Sequence, residues 1–157
     1  MLNEAPDWLA AAEAAFADIA RNALSISSFQ KIKRDKAIPD GAAGAFIPLV
    51  GEHGSSVQLG LFSNDEGCSQ LARRLLQLGP KDAAPAQEDV VDAMSEIANM
   101  VAGNLKRRPQ LEAESMSIGL PLFLRMGEVG MGTRECVAVG HCRLGTIDVS
   151  VAILAPS

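Results

Sequence analysis

Positive charge is scarce in this chain. Fourteen Lys and Arg stand against 19 Asp and Glu in 157 residues, a formal net charge of −5. A general nucleic-acid binder needs a basic surface to follow phosphates, so this balance argues against one. Long apolar runs are also missing. No stretch reaches the roughly 18 consecutive apolar residues of a membrane-spanning helix, so no membrane partner is expected. The N-terminus lacks a basic segment followed by an apolar one, and no signal peptide is expected either. Cysteines number three, an odd count that makes no disulfide framework. The expected location is a reducing cytoplasm.

What remains is ordinary globular composition, 48% hydrophobic and 21% charged. The length suffices to bury a real core, and the expectation is one domain over residues 1–157. Asp7 to Leu24 places Trp8, Ala12, Phe16, Ile19 and Ala23 at helical spacing. Glu13, Asp18 and Arg21 fall elsewhere around that wheel, and Asp7 is the expected N-cap. Ser25 to Arg34 reads as extended. Ala45–Val50 and Ser56–Phe62, joined by Gly51-Glu52-His53-Gly54, predict a hairpin. Asn64 to Leu78 returns to helical spacing, with Gly79-Pro80 as the stop. A third helix is expected over roughly 86–107, acidic at its start and basic at its end, as the macrodipole favours. Pro109 bars its continuation. Met116–Arg125, Glu135–Cys142 and Thr146–Leu154 predict three further strands. The expected fold is α+β, a mixed, mainly antiparallel six-stranded sheet covered by helices.

The third helix carries two stripes. Val90, Met94, Ile97, Val101 and Leu105 form an apolar one that core packing explains. Asp92, Glu96, Asn99 and Gly103 form another on roughly the opposite side. Like charges at i,i+4, as in Glu88, Asp92 and Glu96, cost about 0.2–0.5 kcal/mol each. Asn is a poor former of helix interiors, and Gly costs roughly 1 kcal/mol relative to Ala. Two readings are open. The stripe is a solvated face with Gly103 tolerated by tertiary contacts, or it is a surface built for another molecule. In the second case Glu96 seeks an external cation, Asn99 offers a donor and an acceptor, and Gly103 admits a partner's backbone.

Asp92, three residues, Glu96, two residues, Asn99, then 21 residues and Pro121 make a four-point spacing. It is similar to the signature of the CheC/CheX/FliY chemotaxis phosphatases. The stretches SEIANMVAGNLK and SIGLP resemble the CheX branch, which carries one copy of the motif. Glu96-x2-Asn99 is the only Glu-x2-Asn in this sequence. The resemblance covers about residues 43–154 and implies a CheC/CheX-like fold. It also implies hydrolysis of the aspartyl phosphate on a CheY-like response-regulator receiver. By resemblance, Asn99 holds the attacking water and Glu96 pairs with the receiver's lysine. Asp92 has a supporting role and Pro121 shapes the neighbouring strand, while Gly103 is counted in the site as the residue of the row that admits a partner's backbone. The expected chain needs no cofactor of its own, since the receiver brings Mg²⁺, and a homodimer is implied. Such chemistry needs little machinery, because an acyl phosphate is already activated and orientation of water does most of the work. The alternative function is a non-catalytic CheX-like adaptor or oligomerisation module, and a third is a structural domain related to flagellar switch components.

Other candidate sites are weaker. Cys136 and Cys142 would lie ~20 Å apart along a strand at about 3.3 Å per residue, too far to share a metal with His141. They read as buried thiols. His53 sits in a turn with no assigned role. Gly127 to Gly132 has the wrong spacing for a dinucleotide loop and reads as a hairpin connection. Lys31, Lys33, Arg34 and Lys36 form a small basic patch, read as solvated surface, with docking of an acidic receiver face as the alternative. Met94, Met100 and Met116 read as core filling.

Overall fold

The computed structural model describes residues 7–52, 56–109, 111, 115–126 and 135–155. In chain order the elements are α1 (Trp8–Ala23), β1 (Phe29–Asp35), β2 (Ala43–Val50), β3 (Ser56–Ser63), α2 (Asp65–Leu75) and α3 (Gln87–Lys106). Four strands follow: β4 (Ser117–Ile118), β5 (Leu122–Arg125), β6 (Glu135–Leu144) and β7 (Ile147–Ala155).

Local chemistry explains the helix boundaries. The Ala10 backbone N–H donates to Asp7 Oδ1 at 3.0 Å, capping α1. Gly67 N–H donates to Asn64 Oδ1 at 2.7 Å, capping α2. α2 ends earlier than Gly79-Pro80 would dictate. Gln77 takes φ of 57°, and Leu78 N–H reaches back to the Arg73 carbonyl at 2.9 Å. With the bond from Gln77 N–H to Arg74 O, this is a Schellman closure built without glycine.

The strands form one sheet in the order β1-β6-β7-β3-β2-β4, with β5 also paired to β2. Every described pairing is antiparallel. The expectation of six strands in a mixed sheet is therefore corrected to seven strands, antiparallel throughout the described pairings. The extra strand arises because the run expected over Met116–Arg125 is split. β4 pairs with Leu49 and Val50, β5 with Ala43 to Phe46, and Gly119-Leu120-Pro121 intervenes. Neither Pro48 nor Pro121 has an N–H to give a ladder. Gly119 bridges the break by donating to the Pro48 carbonyl at 2.8 Å. A side chain at Gly119 would collide with the Pro48 ring.

The three helices share one buried cluster with the sheet, in which Phe16, Ile47, Leu61, Met94, Ile97 and Val151 are essentially inaccessible. Burying each such side chain contributes about 1.5–3 kcal/mol. Alternate strand positions supply a second cluster, Phe46, Phe62, Val139, Ala152 and Leu154 under Ile38 and Ala42. Phe46 and Phe62 meet edge to face there, with centroids 4.9 Å apart. Met94 and Met116 are buried and Met100 packs against the core, as their sequence context suggests.

One residue of α1 departs from its expected place. Glu13, read as lying off the apolar stripe, is 1% exposed beneath the sheet. Arg34 of β1 donates to its Oε1 at 2.6 Å, and Lys31 Nζ stands 4.0 Å away. Gly140 of β6 makes the room, since a Cβ there would collide with Glu13 Oε2. A buried carboxylate is retained only when paired, and the edge strand supplies its partners. Part of the basic patch expected on the surface thus serves α1.

Candidate functional site

α3 is amphipathic in the strict sense that its two stripes meet different surroundings. Val90, Ala93, Met94, Ile97, Ala98, Val101, Ala102 and Leu105 are buried, and the helix packs against β2, α1 and α2. Its outer side presents Asp92, Glu96 and Asn99, all exposed, and the half-exposed Gly103. At 1.5 Å rise per residue the row from 92 to 103 runs about 16 Å along the axis. Glu96 and Asn99 stand about 4.5 Å apart along it.

No hydrogen bond or ion pair among the described residues involves the side chains of Asp92, Glu96 or Asn99. Their neighbours are otherwise occupied. Arg108 donates from Nε to Asn104 Oδ1 at 3.0 Å and from Nη2 to Asp18 Oδ2 at 2.5 Å. That pair ties the end of α3 to α1, and the sequence showed Arg108 only as a charge suited to the macrodipole. The row is therefore two carboxylates and a carboxamide on a rigid helix, each free to meet another molecule. It can accept from a cation, and through Asn99 it can both donate and accept. Such a row offers orientation and charge.

Gly103 answers the question about tolerance. A Cβ built there meets nothing within 4 Å. No neighbouring group among the described residues therefore requires a glycine at this position. Pro121 lies off the helix and half-buried, at the break between β4 and β5, two strands against which α3 packs.

The remaining candidates resolve by strand alternation. Cys142 faces the helix-side cluster, where burial pushes its thiol up to about 12. His141, its neighbour in β6, faces the opposite side. Its Nε2 donates to Asp35 Oδ1 at 2.8 Å, and Ser150 Oγ lies 2.8 Å from Nδ1. With an ionised Asp35 the ring hydrogen sits on Nε2, and Nδ1 accepts from Ser150. This trio joins β1, β6 and β7, and nothing in the sequence spacing announced it. Cys68 is likewise buried, its thiol pushed up to about 11 by burial. His53, the segment Gly127 to Gly132 and the side chain of Cys136 lie outside the described residues. Among the described residues, no three His, Cys, Asp or Glu side chains are grouped to hold a metal. No described helix is long and apolar enough to cross a membrane.

Residues 43–140, more than half of the chain, match the family described as Chemotaxis phosphatase CheX. The chain belongs to that family. No curated protein matches the sequence significantly. Solved structures agree on the fold. The chemotaxis protein CheX from Vibrio vulnificus superposes with a TM-score of 0.73 at 15% identity, covering 94% of this chain and 97% of that one. A CheC-like superfamily protein from Shewanella sp. PV-4 gives 0.73 at 13% identity, covering 96% and 98%. CheX of Borrelia burgdorferi, solved in complex with CheY, BeF3 and Mg²⁺, gives 0.67 at 19% identity, covering 95% and 99%. The CheX match begins at the first residue of β2 and takes in α2, α3 and the break at Pro121. The CheX-like fold thus holds α3 against the sheet with its polar row outward.

Proposed function

We propose that this chain hydrolyses the aspartyl phosphate of a CheY-like response-regulator receiver, with the outer row of α3 as its docking and catalytic face. The observation that carries the reading is the pair Glu96 and Asn99. Both are exposed on a rigid helix and have no side-chain partner among the described residues. The CheX family match and the Borrelia burgdorferi CheX complex with CheY support the receiver as the class of partner.

In this reading Glu96 receives the lysine of the receiver's active site and fixes the orientation of docking. Asn99 holds a water through its carboxamide, in line with phosphorus. Attack by that water forms a new P–O bond while the bond from phosphorus to the aspartate oxygen breaks. Inorganic phosphate and a free carboxylate leave, and the water proton passes to phosphate or solvent. Mg²⁺ on the receiver neutralises phosphoryl charge, so the acceleration this chain supplies is positional and electrostatic. Asp92, one turn before Glu96, adds negative potential for the same cation. Pro121 acts at a distance, by ending β4 and starting β5 beneath the helix.

The test is the decay of phosphorylated CheY-like receivers with and without the chain. Wild type is expected to accelerate decay. Asn99→Ala is expected to lower that acceleration by about 10²-fold or more, the usual consequence of losing one positioned polar group. Wild-type binding without acceleration would make the chain an adaptor, and undiminished turnover in Asn99→Ala would remove Asn99 from the mechanism.

A further inference from the structure

The geometry points to Gly103 as the place where a docked partner's main chain passes closest to α3, which makes its missing side chain a determinant of specificity. This rests on the receiver-phosphatase reading and deepens it by naming which part of the receiver meets which part of the helix.

A glycine inside a helix weakens it relative to alanine, so its presence calls for a cause. Within a single chain the causes are a positive φ or a close approach by a neighbouring group. Gly44, Gly60, Gly67 and Gly140, the other glycines whose surroundings are described within helices or strands, each have one. A Cβ would strike the Leu61 carbonyl at Gly44, the Phe62 ring at Gly60, the Ser63 hydroxyl at Gly67 and the Glu13 carboxylate at Gly140. Gly103 has neither cause. It is not among the positive-φ glycines, and an added Cβ meets nothing within 4 Å among the described residues.

Its position on the helix supplies the external cause. Gly103 is in line with Asp92, Glu96 and Asn99, one turn beyond the carboxamide, or about 6 Å along the axis. Lys106 and Arg107 follow it, exposed and with no side-chain partner among the described residues. The row therefore has a bare stretch of helix backbone between a carboxamide and two cations. A facing backbone can approach such a stretch more closely by about the width of a methyl group. With Asn99 at the phosphoryl group, the segment over Gly103 is the receiver's main chain next to its phosphorylated aspartate. An anionic environment there suits Lys106 and Arg107. A partner of bulkier surface at that point is rejected by contact with the helix itself.

The experiment compares wild type, Gly103→Ala and Gly103→Gln for binding to CheY-like receivers activated with beryllofluoride and Mg²⁺, for turnover of the phosphorylated receiver, and for thermal stability. Gly103→Ala is expected to raise Tm by about 2–4 °C, because it improves the helix. It is expected at the same time to weaken binding by about 10-fold or more, a difference of 1.4 kcal/mol. Gly103→Gln should weaken binding further, with kcat/KM falling in parallel. Opposite signs in stability and binding separate a docking role from a structural one. Wild type that binds and turns over a receiver while Gly103→Ala does both equally well overturns this inference alone. Wild type that binds no receiver overturns the receiver reading and this inference together.

Discussion

At the scale of the residue, what distinguishes the outer row of α3 is lack of local satisfaction. Glu96 has Asp92 one turn before it and Met100 one turn after, so no cation on its own helix relieves its charge. In the proposed docking face an exposed carboxylate steers encounter and sets its salt dependence. Glu96→Lys should therefore slow association with a receiver and abolish the weakening of binding by added salt, as stopped-flow binding at two ionic strengths will read. Folding should be indifferent, because an exposed substitution away from caps and ion pairs usually moves stability by less than about 0.5 kcal/mol. An unchanged association rate would take Glu96 out of the docking face.

Among the elements, β1 shows how much a sequence conceals. It is an edge strand, exposed at almost every position, and edges of this kind need guarding. Side chains hold it from both faces. Arg34 reaches Glu13 on the helix side, and Asp35 receives His141 on the other. The hydrogen bond from His141, and then that from Ala37 N–H, hold the Asp35 carboxyl below the usual carboxylate range. A folded-state value below the unfolded one means stability that is present above the unfolded value and lost as pH falls through the folded one. Asp35→Asn should thus lower Tm near neutral pH, and its difference from wild type should shrink below pH of about 4. Thermal melts at pH 7 and pH 3 measure it, and a constant difference contradicts the linkage. None of this was legible beforehand, since pairing Asp35 with His141 requires the β1–β6 register. The cap at Asp7 and the two stripes of α3 were legible because they depend on residues within a turn or two. The α2 end was not, because Gln77 adopts a left-handed conformation that composition assigns to glycine.

For the molecule as a whole, the buried Glu13 couples the helix layer to the sheet edge. Arg34→Ala leaves that carboxylate with Lys31 at 4.0 Å as its remaining cation. The expected cost is about 1–3 kcal/mol, that of leaving a buried polar group short of its partner. Chemical denaturation should show it as a lower midpoint with an unchanged slope. The sequence set Glu13 apart from the apolar stripe because a periodic pattern cannot foresee a carboxylate drawn inward by a strand it has not yet met. It did place the candidate site, since Asp92, Glu96, Asn99 and Gly103 share one helix face and need no tertiary register. The strand count failed at Gly119, which meets Pro48 of β2 only in three dimensions.

The two stripes of α3 have a consequence for how such a protein changes over generations. Its inward letters are constrained by every neighbour in the core, while its outward letters, under the proposed docking role, answer to a molecule encoded elsewhere. Substitutions at 92, 96, 99 or 103 leave the side-chain contacts among the described residues untouched, so on that proposal the chain can exchange one client for another, or abandon its clients, without passing through an unfolded ancestor.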